Sequence, residues 1–92
     1  MNDVVATELI KDELQRLRLL NYSELVRLIG EDQISTPLGS DGKEYQMEVD
    51  VFWDEEKGGD VRVIVAVDDG GLRAFVPLTS DFIMRSDGTL VE

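Results

Sequence analysis

The chain of 92 residues contains no cysteine and no histidine. Without cysteine there is no disulfide framework to compensate for a small core. With neither residue, the usual zinc, iron and copper sites lack their donors. The commonest general base at neutral pH is also missing. No apolar run approaches the roughly 18 residues of a membrane span. The N-terminal stretch MNDVVATELIKDEL is charged and amphipathic, without the separate apolar stretch of a secretory signal. A cytoplasmic location is the resulting expectation. Neither a G-x-x-x-x-G-K-[ST] phosphate loop nor a G-x-G-x-x-G turn after a strand occurs.

Basic residues are scarce. Nine Lys and Arg stand against twenty Asp and Glu, for a net charge of −11. The imbalance is uneven: residues 1–30 carry a net −1 and residues 31–92 a net −10. A field of that sign repels nucleic acid and anionic membranes, so neither is expected as a partner. It attracts a basic protein, although acidic surfaces also serve solubility alone.

What is present reads as one α+β domain over residues 1–92. Its length falls within the common range for one domain, roughly 50 to 250 residues. Hydrophobic residues make up 42% of the chain, enough to argue against disorder despite 32% charged residues. Asn2 or Asp3 can cap a first helix, in which Val4, Ala6, Ile10, Leu14 and Leu17 fall at helical spacing, with Val5 and Leu9 widening the stripe. Glu8–Lys11 and Asp12–Arg16 are charge pairs for its opposite side. Asn21-Tyr-Ser-Glu24 has the form of a capping box, predicting a second helix from Tyr22 with Leu25, Leu28 and Ile29 inward and a stop at Gly30. One helix bent near Asn21 is the alternative. Residues 1–30 are thus helical, and residues 31–92 consist mainly of antiparallel strands.

Pro37, Gly39, Asp41 and Gly42 mark a loop, with Ile34–Leu38 as a short edge strand. Tyr45, Met47, Val49, Val51 and Trp53 then alternate with Glu44, Gln46, Glu48, Asp50, Phe52 and Asp54. This period of two indicates a half-buried strand. After a turn at residues 55–59, Val61, Val63, Val65 and Val67 form the inward face of a second strand. Asp68-Asp-Gly-Gly71 reads as a tight hairpin, leading to a third strand with Leu72, Ala74, Val76 and Leu78 inward. Phe82–Arg85 and Thr89–Val91 flank Ser86-Asp-Gly88 as a terminal hairpin, with a single helical turn after Ser80 as its rival. The fold expected is a helix or helix pair packed on one face of an antiparallel sheet of three to five strands.

Alternation also assigns the other face. Pairing Trp53 with Val61 places Phe52 beside Arg62 and Asp50 beside Ile64. Pairing Val67 with Leu72 places Ile64 opposite Phe75 and Ala66 opposite Arg73. Phe52, Arg62, Ile64, Arg73 and Phe75 then form an aromatic–arginine patch, a composition favoured at interface hot spots. A satellite core covered by the terminal hairpin or a loop is the competing reading.

Carboxylates are the remaining candidates for chemistry. Asp54, Glu55, Glu56 and Asp60 cluster at the first turn, and Asp68 and Asp69 at the far end of the second strand. Either cluster offers oxygen ligands to a divalent cation, but neither matches the D-x-[DN]-x-[DN]-G calcium loop. Acid–base work by paired carboxylates needs one of them desolvated, whereas Glu44, Glu48, Asp50 and Asp54 lie on the outward face. Lys43 and Ser80 have no activating neighbour in sequence. No catalytic residue, metal or cofactor is assigned.

From about Gly39 onward, VFWDEEKGGDVRV, DDGGLRAFVPLTSDFI and DGTLV resemble a family of short uncharacterised bacterial proteins. The family brings no known activity, so no binding or catalytic residue carries over. The resemblance implies Trp53 in the core, turns at Gly58, Gly59, Gly70 and Gly71, and Pro77 at the end of the third strand. The functional expectation is a non-catalytic protein-interaction module, with self-association as a homodimer included. An acidic immunity-type inhibitor of a basic toxin or nuclease is the alternative, and a small carboxylate-dependent enzyme a further one.

Overall fold

A computed structural model describes residues 1–71 and 76–91. Helix α1 spans Asp3–Arg18. Asn2 caps it, its Oδ1 accepting from the Val4 and Val5 amides at 3.1 and 3.2 Å. Val5, Ala6, Ile10, Leu14 and Leu17 are buried, whereas Val4 is exposed, so the inward stripe starts one residue later than its first apolar position. Arg16 pairs with Glu13, one turn back, in place of the Asp12 partner expected from spacing.

Asn21 breaks the helical run. Its Oδ1 accepts from the Glu24 amide at 2.8 Å while its own amide donates to Glu24 Oε1 at 3.0 Å. This reciprocal cap satisfies two free donors at once. Two helices result, and α2 spans Tyr22–Arg27. Gly30 then turns the chain toward the sheet with φ +82°, a conformation that costs glycine nothing.

Five strands follow: β1 (Gln33–Ser35), β2 (Gln46–Trp53), β3 (Val61–Asp68), β4 (Leu78–Met84) and β5 (Leu90–Val91). They form one antiparallel meander in sequence order. Both helices pack on one face, making the α+β architecture expected. β1 is shorter than predicted, and the chain rejoins β2 through a bridge between Leu38 and Glu44. The β2–β3 register is the one that alternation predicts, Trp53 facing Val61 and Phe52 facing Arg62.

The β3–β4 register is not. Val67 pairs with Leu78, six residues beyond the expected Leu72. The shift is even, so every side chain keeps its face and the hydrophobic pattern cannot detect it. The register observed buries Phe82 and Met84 opposite Val63 and Val61. Pro77 precedes the strand instead of ending it. Asp68–Gly71 therefore opens a longer connection, not a two-residue hairpin; of the expected inward positions, Val76 is exposed because it precedes the strand, and Leu72 and Ala74 lie outside the described residues. The terminal hairpin is as expected: Gly88 donates to the Arg85 carbonyl, and the Arg85 amide donates to the Thr89 carbonyl at 2.7 Å.

The core lies between α1 and the inward face of β2, β3 and β4. Each fully buried valine of β3 contributes roughly 1.5–3 kcal/mol by leaving water. Trp53 is half-buried at the edge of this core, its ring 6.5 Å from that of Tyr22.

The loop before β2 is pinned from both sides. Gly39 is buried, and a Cβ there would stand 2.6 Å from Val5 Cγ1 and 2.7 Å from the Tyr45 ring. The Tyr45 hydroxyl donates to Asp41 Oδ2 at 2.7 Å. That bond, with burial adding to it, pushes the phenol up to about 12. It also holds the Asp41 carboxyl below its ordinary value.

Two predictions follow from this loop. Gly39→Ala forces overpacking and should cost about 1–3 kcal/mol in denaturant unfolding. The Asp41–Tyr45 bond should also shape stability against pH. The Asp41 contribution is complete above the unfolded carboxylate range, about pH 4, and fades as pH falls through its lowered folded value. The Tyr45 contribution is complete below about pH 10 and is lost as pH rises through about 12. Thermal melts of Tyr45→Phe across pH should lack both losses at this site; an unchanged alkaline limb would refute the assignment.

Candidate interaction surface

The outer face of the sheet is fixed by the same alternation that buries the valines. Its side chains stand in cross-strand rows. Phe52, Arg62, Ile83 and Val91 form one row across β2 to β5, and Asp50, Ile64 and Asp81 form the next. Ile34, Glu48, Ala66 and Thr79 form a third, from β1 to β4. Apolar and acidic positions thus interleave. Phe52 is 37% exposed and Ile34 70%, while Ile64, Ala66 and Ile83 are half-buried by their neighbours. No described element covers this face: the terminal hairpin extends the sheet sideways at β5 and does not fold over it. The hairpin-covered satellite core is therefore not formed.

Of the residues singled out from sequence, Phe52, Arg62 and Ile64 come together as expected. Arg73 and Phe75 lie outside the described residues. The positions assigned to them are taken by others, since Asp81 faces Ile64 and Thr79 faces Ala66. This follows directly from the six-residue displacement of β4.

Arg62 is not a free cation. Its Nε donates to Asp54 Oδ1 at 2.7 Å, and Nη1 is paired with Asp81. The Asp54 bond, followed by the nearby charges of Asp54 and Asp81, raises the guanidinium pKa despite partial desolvation. Arg62 ties the end of β2 to β4 across β3 and leaves the described part of the patch acidic. Asp54 was placed on the outward face from sequence but not as a partner of Arg62, and Asp81 and Ile83 were not recognised as members of this surface. The available signal was the inward spacing of Leu78, Phe82 and Met84, which places Asp81 and Ile83 outward.

The acidic pair at the end of β3 is occupied by local bonds. Asp68 Oδ1 accepts from the Gly70 amide at 2.7 Å, and Asp69 Oδ1 from the Gly71 amide at 3.1 Å. The Gly71 amide holds the Asp69 carboxyl below its ordinary value. Among the described residues, no group of three or more carboxylates is arranged to hold a metal ion. No helix among them is long and apolar enough to cross a membrane.

No family model, curated protein or solved structure matches the chain. No residue role therefore comes from a relative, and the outer face is judged on its own geometry.

The Arg62 bridge predicts a salt-sensitive phenotype. Arg62→Met leaves Asp54 and Asp81 without their shared counter-charge, so it should lower the melting temperature. The deficit should shrink as added salt screens the two carboxylates. A deficit independent of salt would mean that the arginine acts through the packing of its alkyl stem.

Proposed function

We propose that the protein is a non-catalytic interaction module that presents the outer face of its sheet to a basic protein partner. The observation that carries this reading is the interleaving of Phe52, Ile64 and Ile83 with Glu48, Asp50 and Asp81 on a face that no described element covers. An antiparallel sheet with one solvated face ordinarily shows polar residues there. Contiguous apolar positions on such a face favour association. The surrounding carboxylates set the sign of the partner, because complementary charge speeds encounter and rejects like-charged surfaces.

Charge also weighs against self-association through this face, since a symmetric dimer would press two acidic surfaces together. Asp68 and Asp69 accept from backbone amides, and the carboxylates of the outer face are exposed or paired with Arg62, which supports binding over acid–base chemistry. An immunity-type inhibitor of a basic toxin or nuclease is the more specific reading that the charge favours. Residues 31–92 carry a net −10, and strong charge suits fast capture of a cationic target.

The test uses two folded variants with wild type as bait. Phe52→Ala with Ile64→Ala should weaken capture of a basic partner by roughly tenfold or more, the loss typical of hot-spot truncation. Glu48→Lys with Asp50→Lys should do likewise and flatten the dependence on salt. A partner held equally by wild type and both variants would refute the reading. A chain that instead sediments as a dimer until Phe52 is replaced would identify a second copy as the occupant.

A further inference from the structure

We propose that the free edge of β2 takes up a short extended basic segment of the partner protein as an added strand, pairing with the backbone of Val51 and Trp53. This deepens the interaction reading above and rests on it.

The phase of the ladder carries the inference. In an antiparallel strand, alternate residues direct both N–H and C=O to the same neighbour. The Asp54 amide donates to the Asp60 carbonyl at 2.9 Å, so even-numbered residues of β2 face β3. The Tyr45 amide donates to the Pro37 carbonyl at 2.9 Å, so odd-numbered residues face β1. β1 meets β2 only from Met47 to Val49, because the chain before Gln33 leaves the sheet toward α2. Val51 and Trp53 therefore direct two N–H and two C=O groups at an edge where no described strand lies. Such an edge is a template for strand addition.

The edge is also walled. The turn Ile29–Asp32 and the β2 residues Asp50, Val51 and Phe52 enclose a groove of about 420 Å³. Glu31, Asp32 and Asp50 give it three exposed carboxylates, no basic residue lines it, and Ile29 and Phe52 supply apolar surface. A strand continuing the line of β1 would place residues opposite Val51 and Trp53 on the inward side, next to Ile29. The positions opposite Phe52 and Asp50 would point outward. The fitting segment is about four residues long and alternates apolar with basic side chains.

The outer face alone also falls short of a full interface. The five strands total 28 residues, and at about 3.3 Å per residue and a spacing of about 4.8 Å they give a face of roughly 450 Å². A stable complex takes roughly 800 Å² from each partner. Engaging the β2 edge would extend the contact in the direction of Phe52.

The test is amide hydrogen exchange on the full isotope-labelled chain, titrated with a capped hexapeptide alternating lysine and valine. Exchange at Val51 and Trp53 should start faster than at Phe52, which faces β3, and slow by roughly tenfold or more with peptide. N-methylation of the valines removes the pairing amides and should weaken binding by roughly tenfold or more, whereas N-methylation of the lysines should not. Glu31→Lys with Asp32→Lys should also reduce affinity.

Equal binding of the two methylated peptides would overturn the proposal. So would protection at the other exposed edge, at Thr79 and Asp81, or protection at Val51 that grows with protein concentration and no peptide. Perturbation confined to Ile64 and Ile83 would overturn the edge site and leave the outer-face module standing. No binding at millimolar peptide would overturn the edge site as well, the outer face being decided separately by its own variants.

Discussion

The structure depends on the burial of one side of β3. Val61, Val63, Val65 and Val67 are all fully buried, and β3 is the strand that pairs along its length with both β2 and β4 while α1 crosses it. Moving this strand by one residue would turn four valines to water and bring Arg62 and Asp68 into the core. That penalty, several kcal/mol for the valines alone, sets which side of every other strand faces inward. The helices follow, because their apolar stripes have no other surface of matching size to cover.

The outer face is a consequence of the same constraint. Once Val61 and Val63 point in, Arg62 must point out, and its length lets it bond to carboxylates on both sides. Asp54 comes from the end of β2 and Asp81 from β4, so this cation is consumed inside the fold. The remaining outward carboxylates, Glu48 and Asp50, are left without a described basic neighbour beside the half-exposed apolar positions. A surface built to be merely soluble has no need for Phe52, Ile64 and Ile83 together, and a surface built for a neutral partner has no need for the carboxylates. The combination supports a basic partner with an apolar contact region.

Much of this was legible in the residues. Asn21 and Glu24 pointed to a break between the helices, because the cap requires those two side chains at that separation, although one bent helix fitted the same residues. Trp53 and Val61 announced the β2–β3 register, because the intervening turn is short. Phe52, Arg62 and Ile64 were legible as outward neighbours for the same reason. Asp81 and Ile83 were not, since their places depend on where β4 begins. The free edge at Val51 and Trp53 was also out of reach: it exists because β1 is only three residues long, which neither Ile34 nor Pro37 declares.

The sequence by itself determined the faces: which residues of each helix and strand turn inward, and hence that helices cover one side of an antiparallel sheet. It did so because burial enforces a local period, 3.6 in a helix and two in a strand, that can be read residue by residue. Only the tertiary structure decided the offsets. Leu72 and Leu78 satisfy the same parity opposite Val67, and the choice between them rests on packing Phe82 and Met84 beneath α1, with the Arg18 guanidinium 5.4 Å above the Phe82 ring. Such contacts join residues far apart in the chain, so no local period records them. The composition of the outer face and the length of its open edge follow from those offsets.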